Sequence, residues 1–279
     1  MTRSIPFSIK LSNLFGGFLN QFGWLFFGFG MIFVWAFGSN ADLSFIHFHG
    51  EVVTVQGTAV GAAETSTYIN EEMVLETFYK FTDQQGDEWE GSSFAAGSYY
   101  NAGDPVTIEY PLGRPYLSRI KGMRSSIMGP WILLITIFPA IGLVFVFFGI
   151  RLGLKNNYIL KNGIISKGKL ISKSRTNTEI NDQPVYKLTF EFKDSIGQMQ
   201  QAVVKTHKTE ALEDEAEEAL MYLEETPQKA ILLDALPKKV KFDYNGDIEA
   251  ASMGSAIPSL IIPGISILGH GWYFMNVFL

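Results

Sequence analysis

The chain has 279 residues, a formal charge of −6, 18% charged residues and no cysteine. Without a clustered basic excess it is not built to bind nucleic acid. Without cysteine it has no disulfide, thiolate metal site, cysteine nucleophile or thiol redox chemistry.

A short N-terminal segment, 1–13, carries Arg3 and Lys10, and the chain is then uncharged until Asp42. Two further uncharged runs lie between Arg124 and Arg151 and after Glu249. A helix needs ~20 apolar residues to cross the ~30 Å hydrocarbon layer, and each run reaches that length. They predict transmembrane helices at 14–37, 127–150 and 255–278, with Trp24, Trp35, Trp131 and Trp272 inside them as interfacial aromatics. The first run also fits a cleaved signal peptide, with small residues at Ser39-Asn40-Ala41. An apolar core of ~7–15 residues is usual for such a peptide, and this one is longer, which favours a retained span.

Between the spans lie two polar segments, 38–124 and 151–250. The first carries 12 acidic and 5 basic residues, the second 16 acidic and 15 basic. Arg3 and Lys10 precede the first span, and Arg151, Lys155 and Lys161 follow the second. By the positive-inside rule the N-terminus and segment 151–250 are expected in the cytoplasm, and 38–124 outside. Arg114, Arg119, Lys121 and Arg124 argue the other way. The expected location is a bacterial inner (cytoplasmic) membrane, crossed several times.

A shift of 111 residues lays the two segments on each other without a gap from Gly57/Gly168 to Gly86/Gly197. Nine pairs are identical: Gly57/Gly168, Thr65/Thr176, Thr67/Thr178, Ile69/Ile180, Asn70/Asn181, Val74/Val185, Phe81/Phe192, Asp83/Asp194 and Gly86/Gly197. With one more residue of shift, Tyr110 meets Tyr222, Pro115 meets Pro227 and Ile120 meets Leu232. Tyr186, Leu188, Phe190 and Phe192 alternate with Lys187, Thr189 and Glu191, the period of a half-buried strand. Asp83 to Gly86 and Asp194 to Gly197 read as hairpin turns, because Asp bonds nearby backbone and Gly tolerates positive φ.

Each segment therefore predicts a long bent first strand (about 47–60 and 163–174), a hairpin, a strand ending at the paired Tyr, and a short last strand. Residues 211–226 have helical propensity, but their counterpart "GDPVTIEYPLGRP" reads as strand and turn. A strand over 218–223, after a short helical turn, is the expectation. Asn245-Gly246 predicts an added two-residue hairpin at the end of the second segment. The fold class is membrane α plus all-β modules: three transmembrane helices alternating with two small antiparallel β barrels or sandwiches related by internal duplication.

With Gly57, Tyr79 to Gly86, the run Gly103-Asp104-Pro105-Val106 through Tyr110 to Pro115, and "SRI" at 118–120, the chain resembles the bacterial membrane proteins that carry domain of unknown function 3592. The second copy departs from that pattern: Asp214-Glu215 replaces Gly103-Asp104, and Leu223 replaces Pro111. The resemblance implies an envelope membrane protein and brings no catalytic residues.

His47 and His49 would share one face of the first strand, a spacing that suits metal ligation. No third ligand stands at a fitting spacing, so no metal and no cofactor is expected. His270 lies inside the third span, within ten residues of the chain's end, where placement at the membrane interface or a helix–helix hydrogen bond is the expectation. The acidic run Glu213–Glu218 reads as solvated surface. Asp83 and Asp194 repeat in the same turn context, which makes them structural. Gly16-Gly17, Gly28/Gly30 and Gly149/Gly153 are small-residue patches that bring helices together.

No phosphate loop, nucleotide fingerprint or serine elbow is present. The expected function is non-enzymatic: a binding or assembly module of the envelope, in contact with membrane lipid, with a protein partner or a second copy, and without nucleic acid. A subunit of a transporter or channel, and an envelope enzyme without a recognisable motif, are the alternatives.

Overall fold

Among the described residues, three helical stretches are long and apolar enough to cross a membrane: Gly17–Asn40, Pro130–Asn162 and Met253–Val277. The computed structural model describes residues 2–180, 182–249 and 251–278. Asn181, the expected partner of Asn70, and Ala250, at the end of the expected last hairpin, lie outside them. The chain divides into two units, Gly30–Ile137 and the pair of segments Met1–Phe29 and Phe138–Leu279.

The first uncharged run forms α2 (Gly17–Phe37), within the expected 14–37, and a separate helix, α1 (Phe7–Phe15), occupies most of the N-terminal segment, for which no helix was expected. Gly16-Gly17 causes the break. Gly17 sits at φ +77°, and a Cβ on Gly16 would lie 2.3 Å from the Ser12 carbonyl oxygen. A one-turn helix, α3 (Ser44–His47), follows.

Unit Gly30–Ile137 then builds β1 (Val52–Ile69), β2 (Glu72–Thr82), β3 (Glu88–Ala96), β4 (Pro105–Pro111) and β5 (Arg119–Ile120), an antiparallel sheet of order β3-β2-β1-β4-β5. After α4 (Ile137–Asn162), the other unit builds β6 (Ile164–Ile180), β7 (Gln183–Lys193), β8 (Met199–Thr206), β9 (Glu218–Leu223) and β10 (Thr226–Leu232). Their order is β10-β9-β6-β7-β8, the same arrangement. The final helix, α5 (Ile257–Phe278), follows. The region 211–223 is a 3-10 turn at Glu210–Leu212 and then strand β9, as its counterpart's pattern requires.

Neither sheet is the closed barrel offered as one expectation. In the first, β5 is two residues long, and among the described residues the edges β3 and β5 share no ladder; they meet where Ile120 N donates to Ser93 Oγ (2.8 Å) and at the Phe94–Arg124 bridge. In the second, β8 and β10 share no ladder among the described residues. A barrel closes only where its two edge strands share a ladder, and neither β3 with β5 nor β8 with β10 does so among the described residues.

The central strands are longer than expected and start later. β1 pairs with β4 over Val52–Thr58 and with β2 out to Ile69↔Glu72, turning at Asn70 and Glu71 with φ 52° and 70°. Two positive-φ residues are the signature of a two-residue type I′ turn. Register shifts fall at Ala59/Gly61 and Glu64/Tyr68 in β1, and at Leu170/Ser172 and Arg175/Glu179 in β6. These are the positions that the 111-residue shift equates. At the second shift, Thr65 Oγ1 donates to Val74 O (2.7 Å) and Thr176 Oγ1 to Val185 O (2.8 Å). The repeated threonines thus hold a backbone carbonyl that a bulge would leave without a partner.

Tyr79, Phe81, Val106, Ile108, Tyr110 and Ile120 fill the first core, and Leu188, Phe190, Phe192, Leu220, Tyr222 and Leu232 the second. Gly57 and Gly168 have no room for a side chain. A Cβ would lie 2.7 Å from Lys80 O in one and 2.7 Å from a Leu220 methyl in the other. β9 is buried on both faces. Leu220 and Tyr222 enter the sheet core, while Met221 packs on Ile5, Ile9, Ile159 and Leu160 of the N-terminal segment, α1 and the end of α4. That is why "EALMYL" is apolar beyond simple alternation.

Within the same unit, glycines bring α2 and α4 into backbone contact. A Cβ on Gly142 would lie 2.5 Å from Phe27 N, one on Gly23 2.7 Å from Val146 N, and one on Gly149 2.6 Å from the Asn20 side chain. On Gly153 it would meet the Asn13 carbonyl oxygen of α1 at 2.2 Å. Small residues at a seam let helices approach closely where lipid supplies no hydrophobic drive. α4 continues past Arg151 and Lys155 to Asn162, beyond the expected end at 150, and stops where Gly163 N donates to Ile159 O.

Gly153→Val is expected to lower thermal stability in detergent by about 1–3 kcal/mol, the usual cost of forced overpacking. Gly264→Ala, with open space around its Cβ position, should melt like the parent. Equal melting of the two variants would refute the tight α1–α4 contact.

Candidate functional site

The hairpin turns come first, because the sequence singles them out. In both, the backbone N–H of the Asp donates to the carbonyl four residues on, and the N–H of the Gly donates back to the Asp carbonyl. Asp83 Oδ1 accepts from Gln85 N (2.8 Å) and Asp87 N (3.0 Å), and Asp194 Oδ1 from Ile196 N (3.1 Å) and Gln198 N (2.8 Å). The second oxygen is also held: Trp89 Nε1 donates to Asp83 Oδ2 (2.9 Å), and Gln200 Nε2 to Asp194 Oδ2 (3.0 Å). Gly86 and Gly197 take φ +93° and +81°. Desolvation raises the Asp83 pKa, but the bonds from Asp87, Trp89 and Gln85 outweigh it and hold it below the ordinary value. Asp194 is likewise lowered, by Gln198, Gln200 and Ile196 against desolvation.

The same turn closes the last hairpin. Asp243 Oδ1 accepts from Asn245 N and Asp247 N, at 2.8 and 2.9 Å, and Gly246 has φ +78°. Asn245-Gly246 therefore does not form the expected two-residue turn. The carboxylate selects a longer loop in which the glycine alone is left-handed. Among the described residues this hairpin has a single bridge, Phe242–Ile248.

His47 and His49 do not share a strand face. His47 ends α3, and β1 begins only at Val52, with His49 exposed between them. Neither belongs to a group of three metal-competent side chains among the described residues. The neighbouring Asp42, overlooked in the sequence, is buried and accepts from Ser44 N (2.9 Å), Ser44 Oγ and Ser125 Oγ (2.7 Å). Desolvation opposes its ionisation, yet Ser44, Ser125 and the charge of Arg119 lower its pKa. The carboxylate thereby ties residues 42–44 to 125, next to the bridge from Ala41 to Met128.

The acidic run is not all solvated surface. Glu218 is 2% exposed, and one oxygen each of Glu218, Asp214 and Asp234 lie within 4.8 Å of one another. Carboxylate oxygens are the ligands hard divalent cations prefer. Glu218 Oε1 also accepts from Glu215 N at 3.4 Å, and Asp234 pairs with Lys239 at 3.5 Å. Desolvation, then Asp214, Asp234 and Glu215, push the Glu218 pKa up.

The helices of the two-segment unit carry a polar seam. Asn13 Nδ2 donates to Asn157 Oδ1 (2.8 Å), and Asn157 Nδ2 to Lys10 O (3.3 Å). Gln21 Nε2 donates to Phe15 O and Ser259 O, at 2.6 and 2.9 Å. Ser266 Oγ donates to Trp24 O, and His270 Nε2 lies 3.0 Å from Gly28 O, a helix–helix contact. Beside this seam opens a cavity of 730 Å³ whose lining includes Asn13, Asn20, Asn156, Lys205, His207 and Lys208. The polar helix residues were legible only as gaps in apolar runs, without any sign that they converge.

Compared with known proteins, the chain matches no family model and no curated protein.

Two expectations follow. Asp83→Ala should lower the melting temperature more than Asp83→Asn, which keeps an acceptor oxygen. Because the folded pKa is depressed, the stabilisation from ionised Asp83 is present above about 3.9, the unfolded value, and is lost as pH falls through the lower folded one. Acid melting curves of Asp83→Asn should lose that limb. Glu218 has the opposite sign: the folded state holds its proton more tightly, so stability falls as pH rises from about 4.3 through the raised pKa. Glu218→Gln should raise the melting temperature at pH 7, with the gain vanishing near pH 4. A lowered melting temperature at pH 7 would show that the ionised carboxylate is needed.

Proposed function

We propose that this is a non-enzymatic integral membrane protein that presents two duplicated β modules for partner binding or assembly. The modules alternate with the spans. The N-terminus and the second module lie in the cytoplasm and the first outside, across a bacterial inner membrane. The likeness of Gly57, Tyr79 to Gly86 and Gly103 to Pro115 to proteins carrying domain of unknown function 3592 supports an envelope role. Common strand order, equal bulge positions and the repeated Asp-turn support the duplication. The Lys/Arg bias around the spans supports the orientation.

The observation that carries the binding role is an unpaired strand edge in each sheet. Past Thr58, β1 leaves β4, and from Val60 to Ile69 its only ladder partner among the described residues is β2. β6 leaves β9 after Gly168 and likewise continues to Ile180 beside β7 alone. An exposed edge offers a row of backbone donors and acceptors to an added strand. Ala62, Ala63 and Ser66 on the β1 arm are exposed, with small side chains that let another backbone approach.

A photo-crosslinking residue at Ala63 or Ser66, in cells, tests this. A discrete protein adduct, to a second copy or to another protein, is expected there and not from Lys80, exposed on β2 and paired on both sides, to Thr58 and Glu90. Adducts that are absent, or equal at all three positions, would refute the edge as a partner site.

A further inference from the structure

We infer that the 730 Å³ cavity beside α1, α2 and α4 binds the phosphate group of an acidic phospholipid. Three independent features of the two-segment unit converge on it.

The first is the start of α2. Gly16 to Gln21 line the cavity, so it receives the first turn of a 21-residue helix, whose leading amides have no intrahelical acceptor and carry the positive end of the dipole. The second is charge. Lys205, His207 and Lys208, from the end of β8 and the loop after it, also line the cavity. Both lysines are exposed, and the carboxylate in the described lining, Asp234, is paired with Lys239 at 3.5 Å. The third is an unmet polar demand. Asn20 is 1% exposed and Asn13 2%, both line the cavity, and the side-chain oxygen of each has no hydrogen-bond partner among the described residues. A buried amide oxygen without a partner is destabilising, and a headgroup hydroxyl or ammonium would satisfy it. Gly149 makes the room, since any side chain there would displace Asn20.

The place of the cavity favours a lipid over a soluble anion. It lies where the uncharged stretch of α2 begins and where α4 gains its first charge, Arg151. Phe18 and Leu152 line it and are 53% and 48% exposed, so acyl chains can lie on the same apolar surface that meets the bilayer. Basic pockets between membrane helices are recognised seats for acidic headgroups. The site does not depend on what the sheet edges bind.

The test uses the full chain, delipidated in detergent and then given phosphatidylglycerol, phosphatidylcholine or inorganic phosphate. Retained lipid is read by native mass spectrometry and stability by melting temperature. One phosphatidylglycerol per chain should be kept in preference to phosphatidylcholine, and Lys205→Gln/Lys208→Gln should reduce retention roughly tenfold without changing the melting temperature of the lipid-free protein. The control Lys167→Gln/Lys169→Gln, with the same change of charge on exposed lysines outside the lining, should keep the parent's retention. Inorganic phosphate that stabilises as well as the lipid would overturn the lipid assignment and leave a free-anion site. Equal retention of the two lipids, an unaffected double variant, or an equal loss in the control would overturn the cavity itself.

Discussion

The two-segment unit depends on the backbone contact between α2 and α4. A hydrocarbon environment supplies no hydrophobic drive to bring helices together, so close packing and buried polar contacts must do it. Gly23, Gly142 and Gly149 leave room for the facing helix where a side chain of their own would clash, and Gly153 does the same between α4 and α1. Once the helices are that close, Asn13 and Gln21 find partners across the seam, on Asn157 and on the Ser259 carbonyl. The same approach fixes the end of α4 under β9, where Ile159 and Leu160 meet Met221. The second sheet is thus seated by the helix that precedes it, and the cavity beside Asn20 exists because a glycine faces that asparagine.

In the sheets, the recurrent element is a carboxylate folded back on its own loop. Asp83, Asp194 and Asp243 each collect two backbone amides and each is followed, three residues on, by a left-handed glycine. The first two add a side-chain donor six residues later, Trp89 or Gln200, which bonds the other oxygen. Indole and amide are chemically unlike, but each offers one N–H at the same place. The carboxylates that follow Asp83 take no part in this, Asp87 contributing only its backbone, so the cluster Asp83, Asp87, Glu88, Glu90 is a turn plus exposed charge.

Hydropathy and the 111-residue repeat made much of this readable beforehand. Long uncharged runs have few outcomes other than apolar helix, and the counterpart's strand pattern overrode the helical propensity of 211–223. What failed did so for local reasons. His47 and His49 were placed on a strand because alternation looks the same in a short helical turn followed by a bend. Asn245-Gly246 looked like a two-residue turn because the effect of Asp243, two residues earlier, is not visible in the dipeptide. Glu218 sat in an acidic run, and only the two-sided burial of β9 shows that it points away from water. The asparagines of the seam lie far apart in sequence and meet only through helix packing.

Where the two sheets diverge, their environments explain the divergence. In the first, Gly103 at φ +92° and Asp104, which accepts from Asn101 N at 2.7 Å, make a tight polar loop before β4. In the second, the matching stretch holds one more residue and forms the 3-10 turn Glu210–Leu212, with Leu212 buried in the sheet core. That insertion carries Lys208 and Leu212 to the cavity wall and brings Asp214 beside Glu218. The loop of the first sheet has no such neighbours within its own unit. A common strand order therefore sets where the edges fall, while the loop before the fourth strand decides what chemistry each sheet can offer. In the second sheet, that loop puts cationic side chains next to helices and acidic ones next to its own core.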